Sequence, residues 1–145
     1  MRDIKKINSD GLLLCELQAK AFENSIDKME SSSEIFIRRF MKSKIAKKLD
    51  NQSILDSNIQ ANDILTLVDE EYGATDYGSV KYTHNEMYWI GYIYRYWHYY
   101  TEESSKVIYK QAPVETMKRN YLIFHTMASE VAIEDLKEIY RQKKN

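Results

Sequence analysis

Apolar residues recur at three- and four-residue steps along most of this chain, the spacing that lines one face of an α-helix. A first amphipathic segment runs from about Ser9 to Asn24, with Leu13, Leu14, Leu17 and Ala21 on its apolar face and Gly11 weakening its start. Ser31 and Glu34 fit a capping box for a second helix, in which each side chain takes a free backbone N–H. Ile37, Phe40, Met41, Ile45 and Leu49 follow, and Arg38, Arg39, Lys42, Lys44, Lys47 and Lys48 fill much of the opposite face. DNQSILDSN is turn-like. Asn62 or Asp63 can start a third helix with Ile64, Leu67, Val68 and Tyr72 inward, and Gly73 sits where a left-handed C-terminal cap belongs. ATDYGSVKY reads as a loop.

The next segment carries the densest aromatic run, YWIGYIYRYWHYY, at residues 88–100. Thr83 and Glu86 form a second capping box, which places a helix from His84 to about Thr101. EESSKVIYKQ can extend it around a bend. Tyr, Trp and Ile also favour strands, so a buried strand is the competing reading; the cap and the length of the run favour the helix. Pro113 suits the first turn of VETMKRNYLIF. Thr126 can cap MASEVAIEDLKEIYRQ, with Val131, Ala132, Leu136, Ile139 and Tyr140 toward the core. An acidic start and a basic end there suit the helix dipole.

At 100° per residue, the aromatic helix has three faces. Trp89, Ile90, Ile93 and Trp97 share a broad one. Tyr88, Tyr92, Tyr96 and Tyr99 form a stripe beside it. His84, Gly91, Arg95, His98 and Glu102 collect on a narrow third. Apolar residues on nearly every side imply a helix surrounded by others, with Gly91 letting a neighbour approach. Tyrosine in place of Phe or Leu implies margins that meet water or polar partners. The expected fold is therefore all-α: a single-domain helical bundle of about five to six helices around a central aromatic-rich helix, with residues 1–8 and 142–145 as frayed ends.

Bulk composition agrees. Proline occurs once and glycine four times, so breakers are scarce and helices are favoured over many-turned β folds. The net charge of −1 demands no polyanionic partner. Cys15 is the only cysteine, which excludes an intrachain disulfide and fits a reducing cytoplasm. MRDIKKINSD does not read as a signal peptide, and no apolar run approaches the roughly 18–20 residues of a membrane span. Richness in Lys, Ile, Asn and Tyr fits an AT-rich bacterial genome.

Candidate chemistry is thin. With three histidines, of which His84 and His98 lie about 21 Å apart along a helix, no metal site or cofactor is expected. His98 and Glu102, one turn apart, fit a surface pair. Cys15 among leucines reads as a buried thiol, and the scattered glycines make no phosphate loop. The basic face from Arg38 to Lys48 suits a solvated surface, an acidic partner or nucleic acid; the acidic helix after it, with Asp69, Glu70 and Glu71, argues against a helix-turn-helix. RNYLIFH fits the arginine–polar–spacer–histidine pattern of HEPN-type ribonucleases, which are small all-helical proteins. That resemblance implies Arg119 on phosphate charge, Asn120 ordering the site and His125 as acid or base. It covers seven residues.

A longer resemblance rests on SSEIFIRRFMKSKIAKKLD, on DEEYG with YWIGYIYRYW, and on FHTMASEVAIEDL. Together they resemble a family of short bacterial helical proteins associated with presumptive toxin–antitoxin gene sets, over about residues 31 to 137. The neighbouring product in such sets resembles an ADP-ribosyltransferase toxin. The resemblance implies a non-enzymatic, antitoxin-like protein that binds its toxin directly. Contacts are expected at Arg38, Arg39 and Lys42 and along Tyr88, Tyr92, Tyr96 and Tyr99, where aromatic and arginine side chains suit an interface. Asp69, Glu70 and Glu71 join them if the partner binds NAD or nucleotide phosphates. A homodimer is compatible with this reading, as are two alternatives: the ribonuclease with Arg119 and His125, and a nucleic-acid-binding regulator using residues 38–48.

Overall fold

The computed structural model describes residues 8–51 and 58–144. Among them are eight α-helices and no strand: α1 (Ser9–Lys28), α2 (Ser33–Met41), α3 (Lys44–Asp50), α4 (Ala61–Tyr72), α5 (His84–Thr101), α6 (Ser105–Gln111), α7 (Val114–Phe124) and α8 (Ser129–Lys144). The all-α class follows the periodicity; the helix count exceeds the expected five to six. The proposed turn at 50–58 falls mostly outside the described residues, as do most of the N-terminal residues expected to fray. Gln142, Lys143 and Lys144 belong to α8.

Two local interruptions account for the extra helices. The expected helix through Leu49 breaks at Lys42 and Ser43. Ser43 is extended (φ −82°, ψ 163°) and its Oγ accepts from the Ala46 N–H at 3.1 Å, so it caps α3. Its hydroxyl donates to the Phe40 carbonyl at 2.6 Å, which ties off the end of α2. Serine competes for backbone groups in this way, and a periodic pattern does not show it. The second break is Glu102, in the left-handed conformation (φ 66°), which separates α5 from α6. Ser104 caps α6 by accepting from the Val107 N–H.

Several caps moved by a residue or more. Ser32, not Ser31, accepts from the first turn of α2. Glu34 does not complete a box; its carboxylate accepts from the Tyr82 hydroxyl at 2.9 Å. Asp63 lies in the first turn of α4, where its carboxylate takes the Gln60 N–H. Gly73 ends α4 at φ 85°, a backbone that costs glycine least. The Thr83–Glu86 box is present as expected. Thr126 does not cap α8: its hydroxyl donates back to the Ile123 carbonyl at 2.8 Å, and α8 begins three residues later.

α1 lies along α5, and α6, α7 and α8 also pack on α5. Gly91 makes the first contact possible. A Cβ there would stand 2.8 Å from the Phe22 ring and 3.0 Å from the Ala19 backbone. Phe22 in turn meets Phe36, Phe40 and Tyr94 edge-on. Ile37, Phe40, Met41, Ile45 and Leu49 are buried as the pattern implied. Leu13, Leu67, Tyr72 and Val131 are exposed instead, while Leu65 and Ile133 take core positions. Cys15 is fully buried, and burial pushes its thiol up to about 12.

Candidate functional site

The three faces of α5 meet very different surroundings. The narrow His/Gly/Arg face holds the most buried charge among the described residues. Arg95 is 0% exposed. Its Nε donates to Gln18 Oε1 at 2.8 Å, one terminal nitrogen to Asp50 Oδ1 at 2.6 Å, and the other to Ser105 Oγ at 3.1 Å. Asp50 also accepts from the Ser105 backbone N–H and hydroxyl. The Gln18 amide donates to the Gly91 carbonyl at 2.9 Å. α1, α3, α5 and α6 are thereby joined through one ion pair. His98 is half-buried, 3.7 Å from Asp50, and its Nδ1–H donates to the Glu103 carbonyl. The expected His98–Glu102 surface pair is not what this face forms.

A second polar knot sits at the end of α5. Glu103 accepts from Trp97 Nε1 (2.9 Å), Lys137 (2.8 Å) and Gln111 (2.7 Å). Burial opposes its ionisation, but these donors outweigh burial and hold the carboxyl down at about 2.

The tyrosine stripe divides along its length. Tyr96 is buried, with its hydroxyl donating to Glu130 on α8, and Tyr99 is buried as well. Tyr88 is 38% exposed and Tyr92 half-buried. Tyr88 stacks on Tyr92, and Tyr92 in turn on Tyr96, at 6.5 and 6.1 Å between centroids, so Tyr88 and Tyr92 are the outer two of three rings. They line a groove of about 650 Å³ with Trp89, Tyr121, His125 and Glu23. The Tyr121 ring stacks on His125 at 4.3 Å and meets Trp89 edge-on at 5.7 Å. His125 donates from Nδ1 to the Tyr121 carbonyl, which leaves Nε2 as the acceptor nitrogen of the neutral ring. Just before His125, Leu122 and Ile123 are 78% and 65% exposed.

Tyr121 and Glu23 were not legible as groove residues, and Trp89 read as core. Nothing in the sequence marks them, because the groove forms only where the end of α7 returns to α5.

The ribonuclease residues line two adjoining cavities. His125 borders the tyrosine groove and Arg119 borders a cavity with Thr83, Glu86, Lys118 and Leu122, and Asn85 and Tyr121 line both. The Asn120 amide is turned back to the Thr116 carbonyl. Neither cavity is lined by both Arg119 and His125.

The basic face is also divided. Arg39 donates to the Gly73 carbonyl at 2.7 Å and sits over the Tyr72 ring, fastening α2 to the end of α4. Arg38 is exposed, and so is Lys42, whose ammonium lies over Tyr109 at 5.8 Å. Glu71 accepts the Lys44 backbone N–H, and Glu70 and Glu71 border a cleft with Lys44 and Lys48. Asp69 is half-buried near the α4 end. The tyrosine groove and the lysine-lined surfaces share no lining residue.

Among the described residues no helix is long and apolar enough to cross a membrane, and no group of three or more His, Cys, Asp or Glu side chains is placed to hold a metal. In comparisons with known proteins, no family model, curated protein or solved structure matched this chain.

Proposed function

We propose that this protein is a non-enzymatic interaction module, with α5 at its centre, that captures a partner protein in the tyrosine groove. One observation carries the reading: Tyr88, Trp89, Tyr92, Tyr121 and His125 form a continuous, accessible aromatic wall. Tyrosine and tryptophan give large contact area at low entropic cost and dominate binding energy at protein interfaces. The exposed Leu122 and Ile123 beside the wall add apolar surface of the kind that marks such sites.

The rim indicates the partner's chemistry. Glu23 lines the groove, and Glu16 and Glu130 are close enough to push up the Tyr92 hydroxyl, after burial itself. A partner segment that pairs an apolar anchor with an arginine or lysine fits this combination of carboxylates and ring faces. The resemblance to toxin–antitoxin proteins points to a toxin encoded beside it, in a bacterial cytoplasm. On this reading Tyr88 and Tyr92 are the contact tyrosines, Tyr96 backs Tyr92 by stacking on it, Tyr99 is buried, and Arg38 and Lys42 belong to a different surface.

The test is co-expression with the adjacent gene product. The expected result is a complex that co-purifies and relieves growth arrest, and that is lost in Tyr88→Ala combined with Tyr121→Ala. A neighbour product that neither binds nor is neutralised overturns the toxin assignment. A complex unchanged by the double substitution overturns the groove.

A further inference from the structure

The break between α2 and α3 does more than add a helix. Had residues 34–49 formed one straight helix, its cations would have been spread along a convex face. The turn at Lys42 and Ser43 instead folds them inward, and α6 brings Lys106 to meet them. Lys42, Lys44, Lys47 and Lys106 line one cavity of about 340 Å³, together with Ser43, Asp50, Ser104 and Ser105.

Four lysines lining one concavity repel one another unless something neutralises them. Among the described residues, none of the four forms an ion pair. Asp50 is the one carboxylate in the lining, and it is already committed. Both of its oxygens accept hydrogen bonds, and its charge is matched at 2.6 Å by Arg95 beneath the cavity floor. The floor is therefore close to neutral, and the wall keeps its positive charge. Lys44 has Glu70 and Glu71 across the neighbouring cleft, and Lys42 places its ammonium over the Tyr109 ring, so Lys47 and Lys106 carry most of the uncompensated field. Ser104 accepts from Val107 through its Oγ and retains a hydroxyl proton to donate at the rim.

We infer that this cavity binds a compact polyanion bearing phosphoryl groups, such as a free phosphate chain or the phosphate tail of a nucleotide. Lysine suits this class because it contacts phosphate oxygens as a mobile point charge. A concavity lined by four lysines matches several charges on one short chain better than the single charge of a carboxylate. It matches less well the regular, extended spacing of a nucleic-acid backbone, which an unbroken basic helix would have tracked. The site is independent of the tyrosine groove, which shares none of its residues.

The test is calorimetric titration of the full chain with inorganic tripolyphosphate at low salt, beside ATP and a single-stranded oligonucleotide. Saturable one-to-one binding is expected, weakened about tenfold or more in Lys47→Ala/Lys106→Ala and weakened further by added salt. Lys20→Ala, far from the cavity in sequence and paired to Glu23, should leave it unchanged. ATP binding more tightly than tripolyphosphate identifies a nucleotide as the source; equal affinity identifies the phosphate chain alone. The inference is overturned if tripolyphosphate shows no saturable binding, if the double variant binds as well as the parent, or if only the oligonucleotide binds. All four lysines are on the surface, so the variants should fold, and an unchanged helical circular dichroism spectrum checks that they do.

Discussion

Arg95 and Tyr92 stand three residues apart on one helix and have opposite fates. Arg95, the most polar residue of α5, is its most completely enclosed charged group. Tyr92, an aromatic residue, keeps part of its ring at the surface. Intrinsic hydrophobicity predicts the reverse. The difference lies in what each side faces. α1, α3 and α6 supply Gln18, Asp50 and Ser105, which satisfy the guanidinium from three directions. Beside Tyr92, the end of α7 and the start of α8 leave a gap, and there the rings stack on one another. A buried charge is tolerable when fully paired, and an exposed aromatic wall is useful when something else completes it.

The contrast can be broken most severely at Arg95. Arg95→Ala removes the cation paired with Asp50 at 2.6 Å and leaves a buried carboxylate without that partner, so a loss of about 3–5 kcal/mol is expected. Urea denaturation followed by circular dichroism measures it; a loss below about 1 kcal/mol would show that water reaches the network.

The Glu103 knot should appear as acid sensitivity. Its carboxyl is held at about 2, below its ordinary value of 4.5. The folded state therefore binds this proton less readily than the unfolded chain, and the resulting stability is present above pH 4.5. It is lost as pH falls toward 2, and amounts to about 1–2 kcal/mol once solvent screening of this partly exposed carboxylate is counted. Glu103→Gln should flatten the stability–pH curve in that window, while an unchanged slope would assign acid sensitivity elsewhere.

Gly91→Ala places a methyl 2.8 Å from Phe22 and about as close to the α1 backbone, so α1 must shift. A cost of about 1–3 kcal/mol is expected, read as a lower melting temperature. Thr83→Ala removes one half of the α5 capping box and should cost about 1 kcal/mol. Tyr88→Ala completes the comparison from the other side. It should change stability by less than about 0.5 kcal/mol, because the ring is one of the more exposed on α5, yet weaken partner capture measurably. If Tyr88→Ala destabilises as much as Gly91→Ala, the groove is structural and not a docking surface.

How far these features could be read in advance depends on their range. Thr83, Glu86 and the limits of α5 were legible because a cap is a contact between residues three apart. The burial of Ile37, Phe40 and Leu49 was legible because periodicity encodes one apolar face. The Ser43 break was not, since a serine inside a helical pattern either caps a new helix or points outward, and neighbours decide which. Val131 and Ile133 exchanged roles for a similar reason: the rotation of α8 depends on what it packs against. Of the candidate contact residues, the sequence placed Tyr88 and Tyr92 on one stripe, but which tyrosines stay open required α8, whose Glu130 covers Tyr96.

By itself, then, the sequence determined the helical class, the position of the aromatic helix and its division into faces, all of which follow from steps of three and four residues. Only the tertiary structure decided which face carries which task. Arg95 meets Gln18, Asp50 and Ser105 across separations of 77, 45 and 10 residues. The lysine cavity joins Lys106 to residues some sixty positions earlier, near Lys47. Charge compensation and concavity are properties of side chains brought together in space, and no local pattern in the chain encodes them.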